Sequence, residues 1–192
     1  PHGAQHPQGV LLKAAAGLPH RADDAQPEVP LAAEGVEKAA ARIPVFKSGN
    51  MSLGINLLME LARKAAAVLG GDFDVEIIEK HHNQKLDAPS GTALMLADAV
   101  SEGLSYTPRY VYERHSVRQR RDKAEIGISS VRGGTIVGEH EILFAGHDEL
   151  ITLSHTALSK EIFGVGAINA ALFLIGRGPG MYCMADLVDA AK

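Results

Sequence analysis

Glu79-Lys80-His81-His82-Asn83-Gln84-Lys85-Leu86-Asp87-Ala88-Pro89-Ser90-Gly91-Thr92 links an apolar run that reads as a strand, Val75 to Glu79, to a helical pattern from Ala93 to about Gly103. Two imidazoles, an amine and a small-residue turn lie within twelve positions of one another. Pro89 favours extended chain before it. Ser90, Gly91 and Thr92 then place backbone N–H groups at a helix start, where unpaired donors and the helix dipole attract carboxylate or phosphate. Lys85 adds a point charge on a flexible stem, and His82 a second donor. His81 is the natural general acid, because imidazole titrates near neutrality. Lys85 either holds the anion or donates a proton. The pattern describes a receptor for a small anion with a proton donor beside it.

Spacing alone leaves other outcomes open. His81-His82 can end a strand facing solvent, with Pro-Ser-Gly-Thr acting only as a helix cap. A metal is a second alternative, since Glu79, His81, His82, His115, His140 and His155 supply enough ligands in number. No HExxH, CxxC or HxH pattern gives them a shared face, however. Ser90 lacks the G-x-S-x-G surroundings of a nucleophile elbow.

Outward from this segment, Ser52 caps a helix in which Leu53, Leu57, Leu61, Ala65 and Val68 recur at three- to four-residue spacing, until Gly70-Gly71 stops it. A shorter helix is expected at Ala32 to Arg42, then a strand at Pro44 to Lys47. Five prolines fall within Pro1 to Pro30, which predicts a weakly ordered or irregular wrap. After Pro108 the pattern turns to strands at Arg109 to His115, Ala124 to Val131, Thr135 to Ala145 and Glu149 to Thr156, separated by Gly-rich turns. Ile126 with Ile128, and Ile142 with Phe144, supply apolar faces of period two, so an antiparallel meander with one buried face is expected. A last helix runs from about Ser159 to Ile175, and Gly176, Gly178, Pro179 and Gly180 end it. The fold class is α+β, a mixed or antiparallel sheet domain with flanking helices. Three regions are expected: residues 1–51, 52–161 and 162–192.

Composition sets outer bounds. With 46% hydrophobic and 22% charged residues and a formal net charge of −4, the 192-residue chain has no global pull toward nucleic acid or anionic membrane. Arg118, Arg120, Arg121 and Lys123 are interrupted by Asp122 and Glu125, which predicts a solvated loop. The apolar run Val165 to Ile175 is too short to span a bilayer. The single cysteine, Cys183, excludes an internal disulfide and fits a reducing cytoplasm.

The run Glu79-Lys80-His81-His82-x-x-Lys85-x-Asp87-Ala88-Pro89-Ser90-Gly91-Thr92-Ala93 closely resembles the signature of dihydrodipicolinate reductases. Three further segments agree in order and spacing: Ser48 to Asn56, Val131 to His140, and Ser154-His155 through Phe163 to Ala167. The resemblance covers roughly Val36 to Val188. It implies NADH- or NADPH-dependent reduction of a cyclic unsaturated dicarboxylate in diaminopimelate and lysine synthesis. His81 matches the family's proton donor and Lys85 its proton-donating lysine. His82, Gly91 and Thr92 match residues contacting the dicarboxylate, with Ser90 in the same loop. Ser48, Gly49, Asn50 and Met51 match a stretch at the nicotinamide end of the cofactor, and Val131 to His140 matches a sheet hairpin. A cytoplasmic homotetramer assembled through the sheet is implied as well.

Two departures stand out. Lys160 occupies a position where the family usually has arginine, and lysine cannot grip a carboxylate bidentately. No strand with a glycine-rich pyrophosphate loop precedes Ser48, so about a hundred residues of a Rossmann half are expected to be missing or replaced. Gly164-Val165-Gly166 and Gly176-x-Gly178-x-Gly180 are read as a packing contact and a helix stop. Pro1 in place of Met leads us to expect a chain that is processed, excised from a longer protein or read from an incomplete gene. A chain that oligomerises and binds dicarboxylate without catalysis is therefore the alternative.

Overall fold

The computed structural model describes residues 30–190, and the expected wrap before Pro30 lies outside them. The described elements run α1 (Pro30–Ala40), β1 (Pro44–Phe46), α2 (Leu53–Leu69), β2 (Asp74–His81), α3 (Gly91–Gly103), β3 (Arg109–Val111), β4 (Glu125–Arg132), β5 (Gly138–Ala145), β6 (Leu150–Ala157), α4 (Glu161–Leu174), β7 (Gly180–Tyr182) and α5 (Met184–Ala190). They fall into two compact units, one of residues 52–165 and the other of the described residues outside that range.

In the larger unit the five strands are ordered β3-β4-β2-β5-β6. This departs from the expected meander. Strand β2 runs parallel to β4 and antiparallel to β5, separating two strands that were expected to form a hairpin. Of the expected antiparallel neighbours β5 and β6 do pair, from Gly138↔Ala157 to Ala145↔Leu150, whereas β3 pairs with β4 in parallel, from Arg109↔Glu125 to Val111↔Gly127. The physical reason is burial. Val75, Ile77, Ile126, Ile128, Ile142 and Phe144 are all buried, and all lie on β2, β4 and β5, so placing β2 between β4 and β5 stacks these side chains on one face. The sheet is mixed, the helices are separate from it, and the class is α+β.

Register stacks the strands in layers. Val75 lies beside Ile126 and Phe144, and Ile77 beside Ile128 and Ile142. These layers join Ile55, Leu58, Ala62 and Ala66 of α2 and Ala93, Leu96, Ala97 and Val100 of α3 in one core. Of the regularly spaced apolar positions of α2, Leu53, Leu57, Leu61 and Val68 stand on its open side, with Leu57 48% exposed. Helix α2 carries Glu60, Arg63 and Lys64 on one side and is largely apolar over the rest, and the face with small Ala62 and Ala66 admits a closer neighbour. A Cβ at Gly103 of α3 would stand 2.2 Å from the Arg63 carbonyl oxygen and 2.9 Å from the Ala66 Cβ. Close helix approach selects the small-residue face.

The smaller unit pairs β1 with β7 in parallel, Pro44↔Gly180 to Phe46↔Tyr182. Phe173 stacks edge-on against both Phe46 and Tyr182. Gly166 is a packing contact, because a Cβ there would meet the Met51 carbonyl oxygen at 1.7 Å. Gly176 has φ 79° just past α4, the left-handed conformation of a helix stop. Cys183 is a free, half-buried thiol. Among the described residues no helix is long and apolar enough to cross a membrane.

Candidate functional site

Strand β2 alternates strictly, with Val75, Ile77, Glu79 and His81 on the buried side. The parity that sends two apolar residues into the core therefore sends a carboxylate and an imidazole after them. Glu79 is 0% exposed and His81 9%. His81 is not a solvent-facing strand end. Glu79 lies beside Ser130 of β4 and His140 of β5, and His81 beside Arg132. The apolar layers of the sheet thus give way to polar ones at the carboxyl end of β2.

A buried charge persists only with partners. Arg132 grips Glu79 with both terminal nitrogens, Nη1 to Oε2 at 2.7 Å and Nη2 to Oε1 at 2.6 Å. The Ser90 amide donates to Oε1 at 3.0 Å, and His81 Nδ1 meets Oε2 at 2.5 Å. Burial works against the Glu79 charge, but the bonds from Arg132, His81, Ser130 and Ser90 outweigh it and bring the carboxyl down to about 2. Burial also lowers His81. Glu79 opposes that effect, and Lys85 and Arg132 reinforce it. The net result is an imidazole below its ordinary value, neutral near pH 7.

His140 packs edge-on against His81, with centroids 5.2 Å apart, and its Nε2 lies 3.1 Å from Ser90 Oγ. Burial, then the neighbouring His81, push it down to about 4. Ser90 Oγ also accepts from the Ala93 amide at 3.2 Å, so this buried hydroxyl caps α3 from inside. Gly138 leaves the His81 Nε2 side open, since a Cβ there would stand 3.1 Å from that nitrogen.

The loop between β2 and α3 carries the cation. The His82 carbonyl accepts from the Lys85 amide at 3.1 Å, turning the chain back, and the Ala88–Pro89 peptide is cis. Lys85 Nζ lies 2.9 Å from Asp87 Oδ1. Burial opposes the Asp87 charge, but Lys85 and the Gly91 amide hold its carboxyl below the usual range. One carboxylate is thus already held by a lysine and a helix-opening amide. A Cβ at Gly91 would meet nothing within 4 Å, so the space on that side of the first turn of α3 is open.

Of the expected site residues, His81, Lys85, Ser90, Gly91 and Thr92 share this strand-to-helix junction, and His82 is half-buried beside it. Lys160 is exposed at the turn into α4 and bonds to none of them. In the smaller unit Ser48 Oγ donates to the Asn50 carbonyl at 2.7 Å and accepts from the Asn50 amide at 3.3 Å. That tight loop follows β1, with Asn50 buried and Gly49 exposed. Sequence reasoning did not see Glu79, Arg132 and His140 as one cluster with His81. Shared parity along β2 was the available signal for Glu79, whereas Arg132 and His140 depend on strand order. Among the described residues no group of three or more His, Cys, Asp or Glu side chains is arranged to hold a metal ion.

Residues 54–188 match the family described as dihydrodipicolinate reductase, C-terminus. A 4-hydroxy-tetrahydrodipicolinate reductase of Caldanaerobacter subterraneus subsp. tengcongensis is 60% identical over 153 residues, 80% of this chain and 61% of that protein. One from Exiguobacterium sibiricum is 51% identical over 152 residues, 79% of this chain and 60% of that one. Among solved structures, a dipicolinate-bound dihydrodipicolinate reductase from Paenisporosarcina sp. TG-14 aligns with a TM-score of 0.62 at 29% identity, covering 81% of this chain and 59% of that one. The chain spans about three fifths of the length of the curated relatives it matches.

Proposed function

This chain belongs to the dihydrodipicolinate reductase family, and from that premise we propose that it is the substrate-binding and proton-delivering part of a 4-hydroxy-tetrahydrodipicolinate reductase. The observation that carries the proposal is the Asp87 carboxylate held by Lys85 and the Gly91 amide, next to the buried His81. A carboxylate of the incoming ring takes the place of Asp87 on those donors. His82, Ser90 and Thr92 complete the surroundings, and Lys160 is assigned to the second carboxylate.

NADH or NADPH, when bound, supplies a hydride to the unsaturated ring. The loop Ser48, Gly49, Asn50 and Met51 fits the nicotinamide end, because its exposed glycine and internally tied backbone offer a rigid polar edge. The reduced ring then needs a proton, and His81 delivers it from Nε2 as general acid, with Lys85 beside it. His81 is depressed by burial, and the dicarboxylate's negative charge favours the protonated imidazole at the moment it is needed. We further assign assembly as a homotetramer to the sheet face away from α2 and α3, where Ile78 and Leu143 flank the Lys80 pairs with Glu139 and Glu141. Cytoplasmic residence fits one free cysteine and this biosynthetic chemistry.

The test is direct. The chain is mixed with reduced nicotinamide and freshly generated substrate, and absorbance loss is followed. Pyridine-2,6-dicarboxylate is titrated separately by thermal shift. Turnover lost in His81→Ala, and dicarboxylate affinity reduced ten- to a hundredfold in Lys85→Met, are the expected results. Dicarboxylate binding without turnover marks a non-catalytic chain, and no dicarboxylate binding at all sinks the proposal.

A further inference from the structure

We infer that Glu79 is a positioning residue, one buried carboxylate that fixes both the His81 imidazole and the chain opening α3, so that proton donor and anion-holding amides are set as a single body. The inference rests on the proposed function for what that body serves, and on geometry alone for its existence.

Each Glu79 oxygen carries two donors, Oε1 from Ser90 N and Arg132 Nη2, Oε2 from His81 Nδ1 and Arg132 Nη1. Arg132 Nη2 also donates to the Asp87 carbonyl at 2.7 Å, which ties the loop before α3 to the same clamp. An ionised carboxylate accepts only, so His81 must donate from Nδ1. Nε2 is then the nitrogen that gains and loses the proton, on the side that Gly138 leaves unfilled. The arrangement is that of an imidazole oriented by a buried acid, which selects one tautomer and supports the cation when it forms. The groups facing the ring are Glu79 from its own strand, Arg132 from β4, His140 from β5 and Lys85 from the following loop. Only Glu79 among them favours the charged ring.

A purely structural ion pair between Glu79 and Arg132 would leave the ring chemistry of His81 untouched, and this separates the two roles. Ring-nitrogen NMR on the unmodified chain, above the His81 titration, is expected to show the Nδ1–H tautomer. A predominant Nε2–H tautomer overturns the inference without any variant. In Glu79→Gln the His81 proton affinity is expected to fall about tenfold or more, one unit of midpoint, and the tautomers to mix. Glu79→Asp is expected to restore part of both. An unchanged midpoint and tautomer in Glu79→Gln also overturns it. Pyridine-2,6-dicarboxylate is added in the same experiment. If it leaves His81 and the Gly91 and Thr92 amides unmoved while tautomer and midpoint behave as expected, the reductase assignment fails and the positioning role stands.

Discussion

The two ends of strand β2 meet the same physical difficulty in different ways. At its start, Glu125 of β4 is buried and ion-paired with Arg109 and Arg114, while Arg121 spans Asp74, Glu76 and the carbonyls of Val75 and Glu125. At its far end, Glu79 is buried and paired with Arg132. The first cluster consists of carboxylates answered by several arginines at a half-open edge, an arrangement that stitches strands together. The second inserts an imidazole between the acid and the exterior. It also leaves His140 Nδ1 and Arg132 Nε buried without a partner. A buried charge answered by two arginines ties strands together, whereas one shared with an imidazole and bordered by unpartnered buried nitrogens is the arrangement that the proposed proton delivery uses.

The largest expected effect separates the two clusters by stability. Arg132→Leu strands a fully buried Glu79 and is expected to cost about 3–5 kcal/mol near neutral pH, read from urea unfolding. Arg109, whose side chain is 64% exposed, shares Glu125 with Arg114, so Arg109→Leu is expected to cost no more than about 1 kcal/mol. Equal losses would break the distinction.

A second test uses acid. His140, held at about 4 when folded, binds protons more readily unfolded, so its contribution is complete above the ordinary histidine value of 6.5 and is lost as pH falls from there toward 4. Glu79, held at about 2, contributes fully above the ordinary glutamate value of 4.5, and that part is lost as pH falls from 4.5 to 2. Both slopes run the same way. Melting temperature against pH is expected to fall continuously in acid, with His140 responsible for on the order of 3 kcal/mol. His140→Gln is expected to flatten the upper part of that decline, leaving the smaller share from His81 and His155, both lowered by burial. An unaltered profile would mean that His140 is not the group titrating there.

The smallest effect sharpens the contrast between holding a ligand and holding the fold. In Gly91→Ala the new methyl meets no protein atom, so stability is expected to stay within about 0.5 kcal/mol. Dicarboxylate affinity is expected to fall about tenfold by calorimetry, because the methyl enters the space at the helix opening. An unchanged affinity would place the anion elsewhere.

Much of this was legible beforehand. The helix start at Ser90, the cap at Ser52 and the apolar pairs Ile126 with Ile128 and Ile142 with Phe144 follow from local chemistry, and the structure shows each of them. Which side of α2 is buried does not follow from spacing, because Leu53, Leu57 and Leu61 recur as regularly as Ile55, Leu58 and Ala62, and only its neighbour α3 selects between them. Arg118 and Arg120 are exposed as the charge pattern predicted, but Arg121 is drawn into the ion-pair network by strands remote in sequence.

Alternation along Val75, Ile77, Glu79 and His81 is a property of the chain itself, because the pleat has period two and needs no partner to set its parity. That alone committed an acid and an imidazole to the buried side. Placing β2 between β4 and β5 is a tertiary outcome, which stacks Val75 and Ile77 between the apolar pairs of the two flanking strands. Only that placement brings Arg132 and His140 to opposite flanks of Glu79 and His81, because strand order depends on contacts between residues some fifty positions apart.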